Sequence, residues 1–452
     1  MVLKSINPYT NEIIGEFEEF SDSKLEDIIL KSSDAFEKWR KTSFDERRVY
    51  IGKVSVLLRK NASLYAETIT SEMGKPIKES LAEVEKCAWV CEYYSENAET
   101  FLKPYEIKTD ADSSYVYFEP LGTILGIMPW NFPFWQVFRF VVPTLMAGNT
   151  VLLKHASNVQ LCARLIENIF TESAFPSYVF TNLVAGSGRT GKIILNDLVK
   201  AVSLTGSESA GQKVAEAAGS KIKKTLLELG GSNPFIVLDD ANLEMAAETG
   251  LLARMQNAGQ SCIAAKRFIV TEKVSEKFTS LFLDKMKKLL QGDPSKPETR
   301  LGPLSSVSQA ETVKKQVRES VDKGAKIIEG GYPDKAFYPP TLVIDVKPGM
   351  PLFDEEVFGP VAPIIIAKDT SEAVALANMT KFGLGVSLFT SDRKKAFDLV
   401  PEFKDGAVFI NALVKSDPRL PFGGTKSSGY GRELSIQGIR EFVNVKTVYY
   451  KS

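Results

Sequence analysis

Thr123-Ile-Leu-Gly-Ile-Met128 runs straight into Pro129-Trp-Asn-Phe-Pro133, an unbroken apolar run stopped by a rigid turn. Three more short apolar runs follow downstream, at Thr150–Leu153, Asn182–Val184 and Ala201–Leu204, with helix-periodic segments between them. Apolar runs of this length alternating with helical patterns are the signature of βαβ units on a parallel sheet. The pattern continues through a strand at Phe235–Leu238 and a helix at Asn242–Met255, giving an α/β protein with a second half of similar kind.

Upstream, the first hundred residues read as helices. Leu25, Ile28, Ile29, Ala35, Phe36 and Trp39 recur at helical spacing behind Ser21–Asp22, a capping pair. Phe44–Lys60 and Ala62–Met73 follow, the latter stopped by Gly74 and Pro76, and a long pattern runs from Ile77 to about Phe101. The character changes at Pro104. Tyr105–Glu119 alternates polar with β-branched and aromatic residues, as an exposed hairpin does.

The 452 residues carry 56 Lys+Arg and 56 Asp+Glu, so no net field exists to hold nucleic acid or an anionic membrane. The longest apolar stretch, Phe134–Gly148, is broken by Arg139 and falls short of the roughly 18 residues of a membrane span. Met1–Glu16 has no apolar signal region, and four cysteines form no disulfide framework, so a reducing cytoplasm is expected. His155 is the only histidine. A multi-His metal site is therefore excluded, and proton transfer falls mainly to carboxylates, Lys, Tyr or Cys.

Several motifs carry chemistry and each has a plain alternative. Gly186-Ser-Gly188-Arg-Thr-Gly191 and Ser203-Leu-Thr-Gly206-Ser207-Glu-Ser-Ala-Gly211 both follow strands and open helices, where glycines admit a phosphate or simply make turns. Glu228, within Leu226-Leu-Glu-Leu-Gly-Gly-Ser-Asn-Pro234, is either a buried general base or, on its neighbours alone, more simply a surface residue of an edge strand. Cys262 follows the glycine-bearing Asn257-Ala-Gly-Gln-Ser261 and has the setting of an accessible thiol, unlike Cys87, Cys91 and Cys162 on helical faces. Asn131 holds an amide between rigid residues, suited to an oxyanion or to an ordinary Asx turn.

Taken together, Pro129–Pro133, Leu227–Pro234, Asn257–Cys262, Glu355–Pro360 and Pro421–Gly429 occur in the order of the NAD(P)-dependent aldehyde dehydrogenase superfamily. The chain resembles that family from about Ile6 to Thr447, and Cys262 stands 34 residues after Glu228, the family's spacing. The resemblance implies a Rossmann-like cofactor domain (1–104 and 124–229), a second α/β catalytic domain (230–437) and an oligomerisation arm (105–123 and 438–452). It makes Cys262 the nucleophile, Asn131 and the Cys262 N–H the oxyanion donors, and Glu228 the activator of the deacylating water. Glu356 and Phe358 would meet the nicotinamide riboside, Gly206 and Ser207 the pyrophosphate, Lys154 the adenine ribose, and Trp130 the same cleft. By the same likeness the Gly186–Gly191 loop borders the cleft without clamping the pyrophosphate.

Two departures bear on the cofactor and the fold. His155 stands where the family has Pro and reads as a packing replacement. Ser157 stands where NAD-preferring members carry Glu, so NADP is expected, alone or alongside NAD. Among subgroups the chain is most similar to the short succinate-semialdehyde dehydrogenases, through Arg139, eight residues after Asn131, and the Val414–Phe422 stretch with Ser416. Position 256, where longer members carry Arg, is Gln. Arg139 and Ser416 are thus the expected substrate-binding residues, the alternative for Arg139 being an internal carboxylate partner. A glyceraldehyde or other small-aldehyde dehydrogenase competes within the family. Outside that reaction stand a CoA-acylating enzyme, a cofactor-free thiol esterase and a non-catalytic nucleotide-binding protein. A homodimer or homotetramer is expected, because the arm leaves a strand edge uncovered in one subunit.

Overall fold

Every residue of Thr123–Met128 is a buried strand, and around it the chain builds a six-stranded sheet. In this computed structural model, which describes residues 2–452, the order is 429–430, 224–228, 199–205, 123–128, 150–155, 180–182. All neighbours are parallel except Gly429–Tyr430, which runs antiparallel to Leu227–Glu228. A seven-stranded sheet follows in the order 326–329, 341–344, 361–367, 265–271, 233–237, 386–389, 408–410, again parallel but for its first pair. Parallel strands are covered by helices on both faces, which is why they read as continuous apolar runs with blurred ends. The strand expected at 182–184 lies at Phe180–Asn182, and the one at 235–238 begins at Asn233. Asn233 is a buried polar residue that the apolar run left out, whereas the first strand lies two residues earlier than its run.

The helices Asp22–Trp39, Phe44–Lys60, Ala62–Met73 and Ile77–Leu102 stand where the periodicity put them. Ser21 caps the first, Ser43 and Glu46 form a reciprocal capping box on the second, and Gly74 ends the third at φ 77°. One element departs from the expectation of an all-helical start. Val2–Ile6 and Ile13–Glu18 pair as an antiparallel hairpin. Its exposed positions mix Lys4, Glu16 and Glu18 with Val2, Ile6 and Ile13, and only Leu3 of its apolar residues is buried, so it lacks the apolar run that marks the interior strands.

The expected arm is a three-stranded antiparallel sheet. Val443–Tyr450 pairs residue for residue with Ser113–Pro120, and Tyr105–Glu106 adds the far edge. Tyr105, Tyr117, Val445, Tyr449 and Tyr450 stand exposed on it. Dividing the chain at 437 counts Gly429–Tyr430 with the second half, whereas their hydrogen bonds belong to the first sheet. That crossing makes Lys224–Glu228 an interior strand. Gly429 permits it: at φ 107° a Cβ would lie 1.9 Å from the Leu227 carbonyl oxygen. Gly429→Ala is expected to cost about 2–3 kcal/mol by forcing the two strands apart. An unchanged apparent Tm in a thermal melt would show that the junction gives way freely.

Candidate active site

The carboxyl ends of parallel strands are where an open α/β sheet binds ligands. Here the strand ends at Met128, His155 and Thr205 lie side by side, and the loops after them carry Trp130–Asn131, Ser157 and Gly206–Ser207. His155 fixes the first of these loops. It is fully buried, its Nε2–H donates to the Pro133 carbonyl at 2.8 Å, and its Nδ1 accepts from the Ala156 N–H at 2.9 Å. Burial lowers its pKa to about 4, so the ring stays neutral. It braces the turn and has no free nitrogen for catalysis.

Cys262 arrives from the second sheet by a strained turn. Asn257, Ala258 and Gly259 have φ of 54°, 51° and 74°, all left-handed, and only the last is a glycine. The surrounding structure over-determines them. Glu79 accepts from the Asn257 N–H at 2.7 Å, the Asn257 side chain donates to the Asn131 carbonyl at 2.7 Å, and Arg254 donates to the Gly259 carbonyl at 2.7 Å. The Asn131 amide in turn donates to the Gln260 carbonyl at 3.1 Å. Cys262 is half-buried and lines two cavities at once, of about 300 Å³ and about 290 Å³. The expected accessible thiol is present, but not an activated one. Burial pushes its pKa up to about 11, against the pull of Arg139 and Lys266.

The first cavity holds most of the expected cofactor residues, Trp130, Gly206, Ser207, Glu356 and Phe358, together with Asn131. Ser207 caps the helix Glu208–Gly219, whose free N–H groups face outward at the sheet edge. Trp130 and Phe358 meet edge to face with ring centres 5.9 Å apart. Glu356 accepts from the Gly231 N–H at 3.0 Å and from Lys266, a fully buried lysine that also donates to the Gly231 carbonyl at 2.6 Å. Lys154 and Ser157 do not line this cavity; they stand at the neighbouring strand end, where Lys154 is buried with no ion-pair partner among the described residues. The Gly186 fingerprint is blocked by chemistry. Glu19 occupies that helix start, so close that a Cβ on Gly186 would meet its carboxylate at 2.4 Å, and Arg189 pairs with it.

Glu228 overturns the surface reading. It is 2% exposed, on a strand paired on both sides, with its carboxyl against Gly423 and outside both cavities. Burial first, and the nearby Glu433 carboxyl second, hold its pKa well above the ordinary value. Arg139 answers to both expectations stated for it. It lines the second cavity, but its Nε is in ion-pair contact with the equally buried Glu433, its Nη2 donates to Thr205 Oγ1 at 3.2 Å, and it stacks over Phe422. The internal-carboxylate alternative is therefore the observed one, since a guanidinium on this apolar helix could not be buried unpaired.

Ser416 lines the second cavity as expected, beside a residue the sequence reading did not single out, Lys86. Arg254 and Lys266 were missed as well. All three look like ordinary charges on helix or strand patterns, and only the fold turns them inward.

Residues 1–448 match the aldehyde dehydrogenase family. A Synechocystis protein named as a probable NADP(+) succinate-semialdehyde dehydrogenase is 45% identical over 452 residues, covering 99% of this chain and 100% of that one. Succinate-semialdehyde dehydrogenase [NADP(+)] 1 of Mycobacterium tuberculosis is likewise 45% identical over 455 residues, with 99% and 100% covered. Among solved structures, the Streptococcus pyogenes succinic semialdehyde dehydrogenase with NADP+ superposes at TM-score 0.97 with 37% identity over 100% of both chains.

Cys87, Cys91 and Cys162 are fully buried, and burial raises the pKa of each thiol, so only Cys262 is reachable. Iodoacetamide on the native protein is expected to label Cys262 alone, at a rate that climbs with pH without levelling below about pH 10. Peptide mapping that finds a second labelled cysteine, or a plateau near neutrality, contradicts this geometry.

Proposed function

The chain belongs to the aldehyde dehydrogenase family, and we propose that it oxidises succinic semialdehyde to succinate with NADP as hydride acceptor. The observation that carries the reading is Cys262 at the meeting point of two cavities, one built for a dinucleotide and one for a small polar substrate. The cofactor residues fit. A Cβ on Gly230 would meet the Glu356 carboxylate at 2.4 Å, so the glycine keeps that carboxylate at the cleft wall, and the capped helix at Ser207 offers N–H groups to a pyrophosphate. Bound there, the nicotinamide supplies the hydride acceptor.

In this mechanism Cys262 adds to the aldehyde carbonyl and passes its proton to solvent water in the same step, because a free thiolate is disfavoured at its buried position. The oxyanion is held by the Cys262 N–H and by Asn131, whose amide exchanges the Gln260 carbonyl for it. Oxidation leaves the acyl group as a thioester on Cys262. Glu228 then swings from beside Gly423 towards Cys262 and takes a proton from the water that releases the acid. A water-activating carboxyl within reach favours hydrolysis over transfer to a thiol carrier.

Lys154 and Ser157 are the proposed adenosine-ribose contacts. A buried, unpaired ammonium beside a hydroxyl suits a 2′-phosphate, whereas Glu at 157 would repel it. The exposed aromatic strands of the arm support a dimer or tetramer, in which a second subunit covers them; native mass measurement tests this. Four free cysteines suit a reducing, cytoplasmic setting, and no helix is long and apolar enough to cross a membrane among the described residues.

Glu228→Gln is expected to keep a burst of about one reduced cofactor per site while steady turnover falls by roughly 10²–10⁴-fold. Loss of the burst in stopped-flow absorbance would move Glu228 to cysteine activation. Ser157→Glu is expected to shift kcat/KM from NADP towards NAD by roughly tenfold or more, at least about 1.4 kcal/mol of like-charge repulsion. An unchanged ratio removes Ser157 from cofactor choice.

A further inference from the structure

With Arg139 held by Glu433, two lysines of the second cavity lack a carboxylate partner, and of these Lys415 is exposed while Lys86 is half-buried. We infer that Lys86, together with Ser416, binds the distal carboxylate of the substrate; this rests on the reading of the substrate as a short oxo acid. Lys86 sits on the helix Ile77–Leu102 and shares the cavity with Cys262. Its ammonium donates to Ser416 Oγ at 2.7 Å and lies 4.2 Å over the Trp135 ring, both neutral partners. No ion pair to Lys86 exists among the described residues.

Each carboxylate around it is already engaged. Glu83 pairs with Lys75 and accepts from the N–H groups of Phe134 and Trp135, Asp417 pairs with Arg419, and Glu79 holds the Asn257 N–H. An ammonium has three donors and Ser416 uses one. Ser416 completes the site by its own bonding. Its oxygen accepts from Lys86 and, at 3.0 Å, from the Trp135 indole, which fills both lone pairs and leaves the hydroxyl hydrogen to donate. Two ammonium hydrogens and one hydroxyl hydrogen are what a carboxylate of two oxygens accepts.

Burial lowers the Lys86 pKa to about 8, with Arg139 adding repulsion. The charged groups facing it are Glu79, Glu83 and Cys87 on its own helix, Arg139 on the helix Trp135–Met146, Cys262, and Lys415 and Asp417 on the C-terminal loop. The positive charge is present below about pH 8 and lost above it, so KM for a carboxylate substrate rises on the alkaline side. Arginine at this position stays charged and removes that rise.

The test compares succinic semialdehyde with butanal, which matches its carbon count and lacks the carboxylate. Lys86→Met is expected to lower the ratio of the two kcat/KM values by roughly 10- to 100-fold, chiefly through KM, with NADP binding by fluorescence unchanged. Lys86→Arg is expected to keep the ratio within about threefold and to flatten the alkaline rise in KM. A wild-type preference that survives Lys86→Met, or an alkaline rise that persists in Lys86→Arg, overturns the inference. A wild-type enzyme that favours butanal overturns the substrate reading itself, and the two failures are told apart by the unmutated protein. Should Lys86→Met not fold, Lys86→Gln carries the same ratio measurement.

Discussion

The turn Asn257–Gly259 is the constraint on which both cavities depend. Its left-handed backbone costs on the order of 1–3 kcal/mol at each non-glycine residue, and it persists only because neighbours fix it. Those neighbours come from different places: Arg254 from the preceding helix, Glu79 from the N-terminal helical layer, Asn131 from the end of the first sheet. Because Asn131 both accepts from Asn257 and donates to Gln260, the loop bearing Cys262 is tied to the loop bearing Asn131. Relaxing the turn would open the seam between the two sheets and separate Cys262 from Asn131, the groups proposed to act on one carbonyl carbon.

Buried charge is the second theme, and each case is solved by a different partner. Arg139 and Lys75 take carboxylates, Glu433 and Glu83. Arg254 and Arg267 take only backbone carbonyls, which their several N–H groups can reach in different directions. Lys266 divides its donors between Glu356 and the carbonyls of Gly231 and Cys262, tying the Glu356 wall of the first cavity to Cys262 itself. A buried ion pair adds little to stability when compared with apolar packing, but removing one partner is costly. These pairs therefore serve placement more than strength.

The parallel strands and the early helices were legible because apolar spacing and capping residues are local signals. The N-terminal hairpin was not, since its strands are short and lack an apolar run. That Cys262, Asn131, Gly206, Ser207, Glu356 and Phe358 come together in one cleft was legible through motif order, while their neighbours alone left each one ambiguous. Glu228 shows the limit most clearly. Whether a carboxyl on an apolar strand is at an edge depends on Gly429–Tyr430, some 200 residues later, closing over it. The partner of Arg139 was hidden for the same reason: Glu433 is brought to it by a crossing of the chain that no local pattern announces.

The acidic groups packed inside this protein give folding a proton balance of its own. Glu79 rests near pH 7 in the folded state against an ordinary 4.5, and Asp405 near 6 against 3.8, both raised chiefly by burial. Glu228 is raised in the same direction, again chiefly by burial. Between the ordinary and the folded values the native chain keeps protons that the unfolded chain releases. The stabilising share of these groups is full below about pH 4, and it drains away as pH climbs through about 6 and 7. Unfolding near neutrality thus discharges acid into the solution, and the heat of unfolding carries the buffer's ionisation heat along with the protein's own.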